Sequence, residues 1–201
     1  MEWTFLDETI DWIEIPAGRY RVGLSLDEAN EYWARVVAQQ GPFPYGTASE
    51  LPPSLSAAIP EMVVEVSSFK IARTSQDARG IAYEDALSAA VQGGMSLPTE
   101  SEWEIAERYG DQPISRVDED EWCLDYFNGV RQNLTGILNP VVASQVDEIV
   151  DAPRGRRVIR GRGLDIYHPA MRFHGPYGNL SFARTTFRYV IRSEPLGLLV
   201  G

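Results

Sequence analysis

Apolar and polar positions alternate over residues 10–15, break at Pro16-Ala17-Gly18-Arg19, and alternate again over residues 20–24, the pattern of a β-hairpin. The period then changes. Ala29, Tyr32, Trp33, Val36 and Val37 recur on one helical face, Ser25 and Glu28 form a capping box ahead of them, and Gly41-Pro42 closes the helix. Residues 43–60 are rich in Pro, Ser and Gly and read as a long surface loop. Residues 62–66 and 69–72 read as a second hairpin turning at Ser67-Ser68. A short helix over residues 83–91 ends at Gly93-Gly94. Another is opened by the Thr99 and Glu102 capping box, carries the apolar stripe Trp103, Ala106 and Tyr109, and runs to Gly110, a left-handed stop. Residues 121–127 are an aromatic-rich strand or turn, residues 156–160 a strand broken by Gly161 and Gly163, and residues 185–191 a last strand. The fold class that follows is α+β: short strands, two or three helices and much irregular structure, in one domain over residues 1–201.

Composition adds that the chain is ordered. With 201 residues and 44% apolar content it can bury a sizeable core, and five Trp, nine Tyr and seven Phe are spread along it. The opening residues lack a basic region followed by an apolar run, and no window approaches a membrane span, so a soluble, cytoplasmic protein with no membrane partner is expected. One cysteine, Cys123, excludes an intrachain disulfide and a Cys-rich metal site and reads as a small buried residue. The net charge of −11 hides a division: residues 1–153 hold 27 acids and 9 bases, whereas residues 154–192 hold nine Arg and one acid, Asp165. Two readings follow. Either the basic segment pairs with the acidic body inside one fold, or it forms an anion-facing patch for which Arg's planar fork is suited. An acidic pI of about 4.6 argues against nucleic acid as a partner.

Ile81-Ala82-Tyr83-Glu84-Asp85-Ala86, leading through Gly94 into Leu97-Pro98-Thr99-Glu100-Ser101-Glu102-Trp103-Glu104-Ile105-Ala106, resembles the signature of the formylglycine-generating-enzyme, or sulfatase-modifying-factor, family. Other landmarks follow in that family's order. Residues 12–23 are similar to its opening hairpin, residues 63–71 to its V-x-V-x-x-F-x-I strand pair, and Glu121-Trp122-Cys123-Leu124-Asp125-Tyr126-Phe127 to its E-W-x-x-D-W-[YF] element. Arg157-Val158-Ile159-Arg160-Gly161-Arg162-Gly163 stands where R-V-x-R-G-G-S is usual, and Thr186-Phe187-Arg188 where G-F-R closes the domain. The resemblance implies the C-type-lectin-like variant of an α+β fold. The chain departs from the pattern in two shortened segments, one of which carries the family's calcium ligands, and in having no Cys over residues 164–186, where the family's oxidase keeps a copper-binding cysteine pair. Asp165, His168 and His174 do not replace soft thiolates, so neither a cofactor nor the family's oxidation is expected.

The resemblance and the residues together favour a non-catalytic binding or protein-interaction module, a pseudoenzyme whose partner is a protein or a small anionic ligand. The expected ligand-facing surface is the loop over residues 164–183 with Arg160 and Arg162 beside it. Its candidate contacts are Arg160, Arg162, Asp165, Tyr167, His168, Arg172, His174, Tyr177 and Asn179, a mixture of aromatic and cationic groups of the kind that anchors interfaces. Phe173 and Phe182 belong either to that surface or to the core. Arg188 reads as the internal partner of a carboxylate such as Glu102 or Glu104. An enzyme of different chemistry would need Asp165, His168 and His174 as a two-His, one-carboxylate metal site. A structural accessory subunit would use the acidic run Asp118-Glu119-Asp120-Glu121 and the 43–60 loop as contact surfaces.

Overall fold

A computed structural model describes residues 10–40, 50–76, 79–112, 114, 119–127, 133–135, 137–143, 157–161, 169–170, 173–174 and 185–200. In chain order the elements are β1 Trp12–Ile15, β2 Gly18–Val22, α1 Leu26–Gln40, α2 Pro53–Ser56, β3 Met62–Val66, β4 Phe69–Ala72, α3 Tyr83–Gln92, α4 Glu100–Tyr109, β5 Asp120–Tyr126, β6 Pro140–Ala143, β7 Arg157–Gly161, β8 Phe173–His174, β9 Thr185–Thr186, β10 Val190–Arg192 and β11 Gly197–Val200. The architecture is mixed α+β. Among the described residues no helix is long and apolar enough to cross a membrane.

The strands of the two expected hairpins form, but not as hairpins. β1 pairs antiparallel with β4, and β2 with β3, in a register that continues unchanged from Trp12 opposite Ala72 to Val22 opposite Met62. Residues 12–22 and 62–72 are therefore one long two-stranded ribbon that bends where Pro16-Ala17 faces Ser67-Ser68. Neither dipeptide is of the Asn-Gly or Asp-Gly kind that closes a two-residue hairpin, and the ribbon brings Ile13, Ile15, Val22, Val64, Val66 and Ile71 into one core. β10 adds to the other side of β4. The expected last strand divides in the same manner: β9 runs parallel to β5, while β10 lies antiparallel on β4. A further strand, β11, pairs parallel with β6.

The remaining sheet has the order β8-β7-β5-β9, with α3 packed on it through Tyr83, Ala86 and Ala90 against Trp122, Ile159 and Phe187. α1 begins at the expected capping box, where Ser25 and Glu28 exchange backbone-to-side-chain bonds of 3.0 and 3.2 Å. It buries Ala29, Trp33 and Val36 against Leu55, Ala58 and Ala170. The segment read as a surface loop thus contributes to the core: Leu55, on the single turn α2, is fully buried. Residues 43–49 of it lie outside the described residues.

α4 is the structural centre. The stripe read from its sequence is only part of the buried surface, because every residue from Glu100 to Glu107 is buried. Tyr109, assigned to that stripe, is 48% exposed. It stacks at a tilt on Tyr20, ring centroids 5.4 Å apart, and donates its hydroxyl to the Arg21 carbonyl. Gly110 ends the helix in an extended conformation with φ of −63°, not as a left-handed stop. The glycine is required by close approach, since a Cβ there would lie 2.4 Å from the Ala106 carbonyl oxygen.

Candidate functional site

A polar helix is stable in the interior only if each buried charge has a partner. In α4 each does. Thr99 accepts the Glu102 N–H at 3.1 Å while the Glu102 carboxylate accepts the Thr99 N–H at 2.7 Å, and Asp125 of β5 accepts the Glu100 N–H at 2.5 Å. The Glu102 carboxylate also receives a two-pronged bond from Arg192, 2.5 Å on each side. Glu104 accepts from the Gly23 N–H at 2.7 Å and faces Arg108 and Arg160, each at 3.2 Å. Glu107 accepts the Ile114 N–H at 2.7 Å.

β5 supplies the second layer of this network. Glu121, fully buried, accepts the Trp103 indole N–H at 3.0 Å and a two-pronged bond from Arg188 at 2.7 and 2.5 Å. Arg188 gives its remaining donors to the carbonyls of Ala72, Arg73 and Ile114, so all five of its N–H groups are used. Its expected role as an internal partner holds, with Glu121 in place of Glu102 or Glu104. Two of the three described residues of the acidic run read as a contact surface point inward, and only Asp120 is half-buried. Glu119 and Glu121 are buried, and Ser75 donates to Glu119 at 2.5 Å.

Arg160 also lies inside. It was expected beside the ligand, but its side chain has no exposure, and its Nη2 donates to Glu100 at 2.6 Å and to Glu104 at 3.2 Å. Its position in β7, opposite Glu121 of β5, turns it toward α4. Its Nη1 donates to the Pro169 carbonyl at 2.9 Å, which ties one point of the predicted ligand loop to the core. Of the other candidate residues, the backbone of His174 forms β8 against Val158. Arg162, Asp165, Tyr167, His168, Arg172, Tyr177 and Asn179 lie outside the described residues, as does Phe182. Internal pairing accounts for Arg160, Arg188 and Arg192 of the basic segment, while Arg157 lies over the Tyr83 ring at 4.4 Å from its centroid.

Cys123 is fully buried in β5, and burial pushes its thiol well above the ordinary range; Arg160 opposes that rise, and Asp125, Glu100 and Glu121 add to it. A thiol held protonated and out of solvent is a packing group. One open groove of about 480 Å³ lies between α1 and the end of α4, with Arg21, Arg35, Arg108 and Tyr32 on its walls and Pro169 at one side. The sequence reading missed it because its walls come from β2, α1 and α4. The one available signal was Glu31 and Arg35, four residues apart on α1.

No protein-family model matches the sequence, and no curated protein matches it. Among solved structures, the chain is similar to "Treponema denticola variable protein 1" at 12% identity, covering 90% of this chain and 94% of that one, with a TM-score of 0.49. It is also similar to PvdO from Pseudomonas aeruginosa, again at 12% identity and over 90% of this chain and 94% of that one, with a TM-score of 0.58. At that identity the likeness to PvdO is one of fold alone.

Proposed function

We propose that this chain is a non-catalytic binding module on a shortened sulfatase-modifying-factor fold of the C-type-lectin-like kind, acting in the cytoplasm. In this reading the 164–183 loop with Arg162 faces the ligand, and Arg160 is the internal anchor beneath it. The observation that carries the reading is the position of Cys123. Oxidation of a peptide cysteine in the family that the sequence resembles needs two thiols in one loop and copper held between them. Here the one thiol is fully buried on the central strand β5 and kept protonated by its surroundings. Residues 164–186 contain no Cys. The family's signature residues support the same reading: Glu100, Glu102 and Glu104 are taken up in tying α4 to β7 and β10, and Glu121 of β5 in holding Arg188 just before β10.

The test is to incubate copper-loaded protein with a peptide carrying C-x-P-x-R under oxygen and to follow the peptide by mass spectrometry. No aldehyde above a protein-free control is expected. Aldehyde that disappears in Cys123→Ser would sink the reading.

A further inference from the structure

The groove between α1 and the end of α4 carries cationic donors that the fold does not use. Arg108, near the end of α4, has a side chain only 16% exposed, and its Nη2 is pinned by the Gly23 carbonyl at 3.0 Å and by Glu104 at 3.2 Å. Among the described residues no acceptor meets its Nε or Nη1. Glu104, the carboxylate that it touches, also serves Arg160. Arg35, across the groove on α1, is exposed. Glu31 precedes it by four residues, the order and spacing at which a helical ion pair forms best, yet the two do not pair. Arg35 instead lies over Tyr32, 5.9 Å from the ring centroid, which leaves the in-plane N–H groups of its guanidinium open.

We propose that this groove binds a small oxyanion, a carboxylate or a phosphate, held by Arg108 and Arg35. Arg108 supplies an oriented donor set, because the bonds to Gly23 and Glu104 already fix its plane, and less rotamer freedom is lost on binding. Arg35 closes over the ligand from α1. Glu28 does not compete, since Arg21 and Ser25 occupy it. The Glu31 carboxylate lines the same wall, which disfavours polyanions and selects a ligand of low charge. Pro169, a described residue of the predicted ligand loop, lines one side of the groove, so the proposal rests on the binding-module reading and names a ligand chemistry for it.

The test titrates the isotope-labelled full chain with sodium acetate and with sodium phosphate, each against sodium chloride at equal ionic strength, and follows the Nε–H signals of Arg35 and Arg108. Saturable shifts with at least one of the two anions are expected. Saturation by acetate alone assigns a carboxylate, and by phosphate alone a phosphate. Arg35→Ala, an exposed change that leaves the amide spectrum intact, weakens the apparent affinity about tenfold. Glu31→Gln strengthens it roughly twofold by removing a like charge. Shifts that stay linear with both anions, or an Arg35→Ala protein that titrates like its parent, overturn the proposal. Aldehyde in the copper assay together with saturable shifts removes the non-catalytic reading and leaves the anion site standing. Flat titrations without aldehyde do the reverse.

Discussion

Trp103 joins both kinds of interaction that hold this chain. Its ring is fully buried in the main core, and its indole N–H is one of the bonds that satisfy Glu121. Trp103→Ala is expected to cost about 3–5 kcal/mol, the range for removing a large aromatic from a packed interior. Trp103→Phe keeps most of the volume and leaves Glu121 one donor short, a loss of about 1–3 kcal/mol. Urea unfolding of the two variants orders them. At the surface, Glu28 shows a charge effect of a different size. Its carboxyl is lowered from 4.5 to about 2, first by the Ser25 N–H and next by the Arg21 guanidinium. A carboxyl lowered on folding contributes stability above its unfolded pKa and loses it as pH falls. The contribution from Glu28 therefore fades between pH 4.5 and about 2. Solvent screening keeps it small. Glu28→Gln should flatten the acid side of the stability curve over that window, read by unfolding at a series of pH values.

Among the elements, the β5–β7 ladder is the one most sensitive to a single added methyl. Gly161 ends β7 with φ of +142°, and a Cβ there would lie 2.2 Å from the Glu119 carbonyl oxygen. Both the backbone angle and the contact exclude a side chain. Gly161→Ala is expected to lower stability by about 1–3 kcal/mol or more and to shift the melting temperature by several degrees. Gly110→Ala would meet the Ala106 carbonyl but no left-handed strain, so its effect is confined to the end of α4. A melt of each protein, with amide exchange on β5 and β7, separates the two. Gly110 departs from the expected left-handed stop, the usual reason for a glycine after a helix. Here it serves close packing, which only the folded neighbours reveal.

For the whole molecule, the division of charge along the chain becomes the means of its assembly. The acidic body cannot bury Glu100, Glu102, Glu104 and Glu121 by itself: its own Arg108 reaches Glu104, and the other guanidiniums that meet these carboxylates, Arg160, Arg188 and Arg192, come from the basic segment. Stripping such partners away leaves unpaired buried charge, at about 3–5 kcal/mol for each pair broken, a total comparable to the roughly 5–15 kcal/mol that a domain holds. A chain of residues 1–153 is therefore expected to lack a cooperative unfolding transition. A truncated protein that melts as sharply as the full chain, by circular dichroism, would show that the pairs are dispensable.

By itself the sequence determined what local chemistry controls. The capping boxes at Ser25 and Thr99, the apolar face of α1, the burial of Trp103 and Cys123, and the position of most strands were legible because each depends on neighbours within a few residues. Only the tertiary structure decided which strands pair, since residues 12–22 meet residues 62–72 by burying a shared core that no local signal records. It also decided which charges are structural. Arg160 is chemically as fit for a ligand as Arg35, and the sequence reading placed Arg160 with the ligand. Folding sets Arg160 against two buried carboxylates and leaves Arg35 exposed on the wall of a groove, because a guanidinium's role is fixed by the acceptors around it and those arrive from distant parts of the chain.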